Sequence, residues 1–279
     1  MKCDENNIKF SVAMSVYKND NPIYFDRALE SITLLQTILP DEIVLVVDGP
    51  ISQELDSVIS KYEKEYKIFN VIRLQQNGGL GNALKIAVDS ARNEIIARMD
   101  SDDIALQTRF EEQLKLFKEN PDLDIVGGDI SEFVDTDENI VAYRKVPKSD
   151  SEIKECIKVK CPLNHVTVMY KRSAVNKAGG YMDLFWNEDY YLWIRMYEQN
   201  CKMANTGTVL VNVRTGKDMY KRRGGIKYYK SEKFLQRYMY KRKIIGVSTY
   251  FINLTKRFIV QVCMPPRIRG WVFRKFARR

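Results

Sequence analysis

Residues 8–16 (Ile-Lys-Phe-Ser-Val-Ala-Met-Ser-Val) form an apolar run of strand length, and they predict a buried first strand opening into the polar turn Lys18-Asn19-Asp20-Asn21. Pro22, with Asn21 before it, has the chemistry of a helix start, and Phe25, Ala28, Leu29, Ile32 and Leu35 recur at helical spacing through Thr37. The same alternation continues along the chain. Strands are predicted over 42–47, 70–74 and 94–99, and helices over about 52–66, 80–91 and 105–119. Strands alternating with helices across short turns specify an α/β fold, a mostly parallel sheet with helices on both faces. Further on, 164–169 reads as strand-like, and Tyr190 to Met196 reads as an amphipathic helix with Glu188 and Asp189 at its first turn. Neither an internal repeat nor a low-complexity segment interrupts the pattern.

In such sheets ligands sit at the carboxyl ends of the strands. The first strand ends near Ser15 and Tyr17, the second at Asp48, the third at Asn77-Gly78-Gly79-Leu80-Gly81-Asn82, and the fourth at Asp100-Ser101-Asp102-Asp103. Three carboxylates in four residues repel one another unless a cation or hydrogen-bond donors satisfy them. Two readings of this tetrad stand open. Asp100 and Asp102, two apart at a strand end, could converge on Mg²⁺ or Mn²⁺ whose remaining positions phosphate oxygens fill. Alternatively the acids favour the positive end of the helix that follows. The glycine turn matches neither GxGxxG nor a P-loop, so a plain strand-to-helix turn describes it best, with amides that can still face a phosphate. Glu188-Asp189 follows the aromatics Tyr181, Phe185 and Trp186. Partial desolvation there raises a carboxylate's pKa toward the range of a general base, although the pair also suits a helix cap. His165, the only histidine, has no nucleophile motif beside it, and acid–base chemistry falls to carboxylates.

Charge divides the chain. Residues 214–279 hold 20 Lys+Arg against two acids, a balance of +18, whereas residues 1–213 hold 25 bases and 34 acids. Twelve residues of the basic segment are aromatic, and its uncharged stretches are shorter than the roughly 20 residues that span a bilayer. Bases interleaved with Trp, Tyr and Phe suit an interfacial segment on anionic lipid; the absence of a nucleic-acid-binding signature weighs against a nucleic-acid partner. Five scattered cysteines without a CxxC pair fit reduced thiols in the cytoplasm. Met1–Asn7 lacks the basic start and apolar run of a secretory leader.

Taken in order and spacing, these motifs resemble the inverting, non-processive bacterial glycosyltransferases of family 2. Within that family the chain is similar to exopolysaccharide and O-antigen enzymes with an Asp-x-Asp-Asp motif. The resemblance runs through Ser15-Val16-Tyr17, Asp48-Gly49, Asn77-Gly78-Gly79-Leu80 and Arg98-Met99-Asp100-Ser101-Asp102-Asp103. It continues with Asn164 to Met169, Ala178-Gly179-Gly180-Tyr181, Glu188 to Trp193 and Arg222-Arg223-Gly224-Gly225. It implies a nucleotide-sugar-binding GT-A fold over 1–213, with 214–279 as a membrane-interface segment. It also implies that Asp48 binds the uracil of a UDP-sugar, that Ser15, Tyr17, Asn77 and Asp100 line the donor pocket, and that Asp102, with Asp100 and Asp103, holds Mn²⁺ or Mg²⁺. Asp189 becomes the general base, and Glu188, His165, Arg222 and Arg223 face the acceptor. Lys85, Arg98 and Arg109 are the bases that could meet phosphate. Two departures are visible: Val47-Asp48 replaces the usual acidic pair, and the Gln-x-x-Arg-Trp motif of processive synthases is absent. The expected reaction transfers one hexose, glucose or galactose, to a lipid-diphosphate-linked acceptor such as GlcNAc-diphospho-undecaprenol, at the cytoplasmic face of the inner membrane. The rival classes are a sugar nucleotidyltransferase, which should carry a glycine- and lysine-rich N-terminal phosphate loop, and a basic nucleic-acid-binding protein, which should need no metal.

Overall fold

The computed structural model describes residues 8–216, 224–265 and Ile268. Nine strands form one sheet. The first half is parallel: β1 (Phe10–Val16) lies between β2 (Glu42–Val47) and β4 (Ile95–Met99), and β3 (Phe69–Arg73) flanks β2. Beyond β4 the sheet turns mixed. β8 (Met169–Lys171) runs antiparallel between β4 and β6 (Ile125–Phe133), and β6 pairs in parallel with the long β9 (Met203–Arg214). β7 (Ile140–Arg144) joins the far end of β6, and the two-residue β5 (Ile104–Ala105) closes the edge on β9. Only Asp100–Asp103 connect β4 to β5, although β8, β6 and β9 lie between them in the sheet.

Period-2 alternation assigns each strand residue to a face. Phe10, Val12, Met14 and Val16 of β1, with Ile43, Leu45 and Val47 of β2, pack with α1 (Pro22–Ile32), α2 (Gln53–Glu65) and α4 (Arg109–Glu119). Ala13, Val44 and Val46 join the opposite cluster with α3 (Leu80–Ser90), α6 (Arg172–Lys177) and α7 (Glu188–Glu198). α5 (Asp150–Cys156) adds Ile153 to that cluster, and α8 (Ile226–Lys241) adds Leu235 and Met239. α9 (Val247–Phe258) follows α8 and continues into a π-helical turn over 259–263.

Three elements differ from expectation. α1 ends at Ile32 rather than Thr37, because the Thr33 hydroxyl donates to the Leu29 carbonyl and Gln36 Nε2 donates to Ser31 and Leu106 carbonyls. Side chains thereby satisfy the terminal carbonyls that another helical turn would have used. α4 begins at Arg109 rather than 105, since Ile104 and Ala105 pair with Asn212 and Val211. The strand-like stretch at 164–169 is a 3₁₀ turn over His165–Thr167, in which Thr167 Oγ1 donates to the Asn164 carbonyl, and extended pairing starts only at Met169. Among the described residues no helix is long and apolar enough to cross a membrane.

Candidate functional site

The carboxyl ends of β1, β2 and β4 open on one edge of the sheet, and the first turn of α7 faces them. Asp48, just past β2, is nearly buried, and its carboxylate accepts from Gly78 N (2.7 Å), Gly79 N (3.0 Å) and Asn77 Nδ2 (2.9 Å). Asp48 thus fixes the glycine turn, and Asn77, a candidate donor contact, is its partner. Gly49 must be glycine: its φ is +89°, and a Cβ would approach Asn77 N to 2.7 Å. A groove of about 490 Å³ beside this turn is lined by Gly49, Pro50, Ile51, Asp56, Arg73 and Gln75. Tyr17 is 40% exposed at the end of β1, beside the partly buried Ser15.

β4 ends at Met99, and the backbone bends through Ser101 and Asp102 instead of continuing extended, so the three acids part company. Two guanidinium nitrogens of the buried Arg98 grip both oxygens of Asp100. Asp103 is buried, and its Oδ1 accepts from the backbone N of Arg214 at 2.8 Å. Asp102 is the exposed member of the three. Desolvation, then the nearby Asp100 and Asp20, push its carboxyl up to about 6. Among the described residues no three His, Cys, Asp or Glu side chains form a ready-made metal cage. An outward carboxylate with a raised pKa still fits a divalent cation that a diphosphate completes, because such a cation relieves the repulsion and needs few protein ligands. Asp102 would hold it, with Asp100 adjacent, whereas Asp103 serves the backbone of β9 in this structure.

Three bases were expected near phosphate. Lys85 is exposed on α3, and Arg98 is committed to Asp100. Arg109 does not reach the cleft. It is fully buried, donating to the Arg98 carbonyl at 2.6 Å and to Gln113 at 3.3 Å. Burial, then the like charge of Arg98, bring its pKa down to about 9. That expectation is corrected: Arg109 props β4 from beneath.

Glu188 and Asp189 open α7 as expected. Burial first, then the adjacent Asp189, raise the Glu188 carboxyl to about 7, with Arg98 and Asp100 close enough to contribute opposing effects. Arg98, which grips Asp100, therefore lies near enough to Glu188 to act on its charge. The start of α3 packs against the start of α7, since a Cβ on Gly81 would lie 3.8 Å from Glu188 Cβ. Asp189 Oδ1 accepts from Tyr190 N at 2.6 Å, and Cys161 Sγ lies 3.9 Å from Oδ2. His165 Nε2 is 3.0 Å from the Tyr181 hydroxyl, with the ring against Trp193. Burial and the Arg98 charge hold its pKa well below the usual histidine value, so it is neutral. Arg222 and Arg223 lie outside the described residues.

Two participants escaped the sequence reading. Asp20 accepts from Tyr17 N (3.0 Å) and Ser101 Oγ (2.9 Å), tying the β1 loop to the tetrad, and burial lifts its carboxyl to about 6. Nothing in the polar turn Lys18-Asn19-Asp20-Asn21 marked it. Arg214 donates from Nε to the Asp102 carbonyl (3.1 Å) while its guanidinium lies 3.7 Å from the Tyr24 ring centroid. In sequence it is one base among 20 in a basic segment.

Comparison with known proteins adds independent ground. The family model described as "Glycosyl transferase family 2" matches residues 11–179. An uncharacterized glycosyltransferase of Haemophilus influenzae is 38% identical over 272 residues, covering 98% of this chain and 100% of that protein. The UDP-Gal:alpha-D-GlcNAc-diphosphoundecaprenol beta-1,3-galactosyltransferase of Escherichia coli is 35% identical, covering 97% of each. Among solved structures, S. aureus TarS residues 1–349 in complex with UDP-GlcNAc superposes with a TM-score of 0.67 at 17% identity, covering 90% of this chain and 73% of that one. The likeness extends the GT-A-type fold to most of the chain.

Proposed function

Since this chain belongs to glycosyl transferase family 2, we propose that it transfers a single hexose from a UDP-sugar to a sugar carried on a lipid diphosphate, with inversion at the anomeric carbon. The donor is a hexose of the glucose/galactose pair, and galactose gains support from the E. coli relative's printed activity. The acceptor is GlcNAc-diphospho-undecaprenol, the β-linked product entering O-antigen, capsule or exopolysaccharide synthesis. The observation that supports this reading is acidic groups on two sides of one sheet edge: Asp100 and Asp102 follow the end of β4, and Glu188 and Asp189 open α7, whose start packs against the start of α3. One acidic side suits a leaving diphosphate with its cation, and the other suits the acceptor hydroxyl.

In the proposed reaction, Asp48 and the 77–79 turn shape the uracil end of the pocket, with Ser15 and Tyr17 beside them. Mn²⁺ or Mg²⁺ on Asp102 would supply charge neutralisation for the departing UDP. Asp189 takes the proton of the attacking hydroxyl as that oxygen bonds to the anomeric carbon and the carbon–phosphate oxygen bond breaks. Glu188, His165, Arg222 and Arg223 would contact the acceptor in this reading. The basic C-terminal segment brings this chemistry to the cytoplasmic face of the inner membrane as a peripheral protein, without a nucleic-acid partner.

The deciding experiment measures UDP release from a panel of UDP-sugars, with Mn²⁺, Mg²⁺ or EDTA, and with or without a synthetic GlcNAc-diphosphate lipid. Metal-dependent release that rises with acceptor for one donor is expected. Folded protein that binds neither UDP nor any UDP-sugar would overturn the proposal.

A further inference from the structure

α9 is built inside out. Beside Tyr250, which packs on the core, its inward face is held by polar groups: Asn253, almost fully buried, donates from Nδ2 to the Lys158 carbonyl and to Gln236 Oε1, both at 2.9 Å. One turn on, Arg257 Nε reaches Glu232 at 2.5 Å and Nη2 reaches the Val159 carbonyl at 2.7 Å. Gln261, in the π-helical turn, is buried as well. The outward face is mostly apolar, with Val247 55%, Phe251 61%, Ile252 52%, Phe258 44% and Ile259 50% exposed and the polar Ser248 and Thr255 between them. A water-facing helix of a soluble domain shows the opposite order. Hydrogen bonds hold this helix to the body, while side chains that gain most from leaving water remain in it.

We infer that the outward face of α9 is the surface by which the protein inserts into an anionic phospholipid leaflet. Charge selects this occupant. Exposed Lys241, Arg242 and Lys243 stand at the end of α8 and in the turn before α9, Lys256 lies on α9, and the whole 214–279 segment carries a balance of +18. Anionic headgroups attract such a rim while the acyl boundary takes the apolar ridge. A second copy docked face to face would bring two strongly basic segments together. A polyanion without an apolar phase would leave Phe251 and Ile252 in water. The inference rests on the lipid-borne acceptor reading for its purpose, and it specifies which side chains meet the bilayer.

The test is flotation of the purified full-length protein with vesicles of phosphatidylethanolamine and phosphatidylglycerol, against phosphatidylcholine alone. The wild type is compared with the Phe251→Gln/Ile252→Gln double variant. Both side chains project from the fold, so the variant should keep the wild-type melting temperature and its transfer to a water-soluble, short-chain GlcNAc-diphosphate. Its partition onto the anionic vesicles should fall at least about tenfold. A Lys241→Gln/Lys243→Gln variant should lose partition chiefly at low salt. Undiminished flotation of the Phe251/Ile252 variant overturns the inference, as does a wild type that ignores anionic vesicles. A wild-type dimer in solution that this variant splits would assign the face to a second copy and also overturn it. A wild type that floats through Phe251 and Ile252 yet transfers nothing to any diphosphate acceptor would leave the docking face standing and remove the acceptor reading.

Discussion

Glu188 and Asp189 are neighbours in the chain with different surroundings, and those surroundings divide their work. The Glu188 carboxyl, ordinarily at 4.5, sits at about 7 because burial and Asp189 oppose its ionisation. The folded chain therefore keeps a proton there that the unfolded chain has released. The stabilisation from this group is complete below about 4.5 and is lost as pH rises through about 7. Glu188→Gln cannot ionise, so its melting temperature should gain on the wild type between about pH 5 and pH 8. A difference that stays constant across that range in thermal melts would refute the assignment. Asp189→Asn removes the proposed proton acceptor without changing its size. Its kcat should fall by about 10²–10⁴ while the affinity for UDP, read by calorimetry, stays near wild type. An active Asp189→Asn enzyme would move the base to Glu188. At this scale the sequence picked out candidate carboxylates but not what each one touches. Asp48, Asp100, Asp102 and Asp103 stood out because acids at strand ends need a reason. Asp20, Arg214 and the burial of Arg109 depend on which loops meet, and no local pattern encodes that.

The elements show where local chemistry suffices and where pairing overrides it. The parallel strands β1 to β4 and the start of α1 follow directly from apolar runs and from Asn21-Pro22, whose cap accepts from Ile23 N at 2.9 Å. β5 was unreadable because two residues carry no period, and they become a strand only when β9 arrives beside them. The turn at His165–Thr167 was misread because apolar residues continue through it, and what bends the chain is the Thr167 hydroxyl on the Asn164 carbonyl. The Asp48–Gly49 corner and the 77–79 turn are one device, since the carboxylate of the first fixes the amides of the second. Gly49→Ala puts a Cβ into Asn77 N at a positive φ. It should cost about 1–3 kcal/mol of stability in urea titration and weaken UDP binding together with it. Unaltered UDP affinity in a measurably destabilised variant would mean that the nucleotide does not lean on this corner.

For the molecule as a whole, the charge division read from composition corresponds to a spatial one. Acidic groups lie at the strand ends, and the basic segment joins the core through Leu235 and Met239 of α8 and Ile245 in the turn that follows it. Their fusion makes thermal stability a reporter of site occupancy. UDP together with Mn²⁺ should raise the melting temperature more than the two separate shifts combined, because the proposed cation would offset the charge of both Asp102 and the diphosphate. Asp102→Asn should erase that surplus, and EDTA should do so in the wild type. Additive shifts would show that cation and nucleotide bind independently.

The short path from β4 to β5 sets the shape of the cleft. Four strand spacings laid flat would separate those two strands by roughly 19 Å. The chain from Met99 to Ile104, even drawn taut, reaches only about 17 Å, and it bends at Ser101 and Asp102 on the way. The sheet therefore cannot be flat there: it bows into an arc, and the acid tetrad is the chord strung across the bow. A chord so short limits how far the two strands can part. That limit is written in the number of residues between them, before any side chain is chosen.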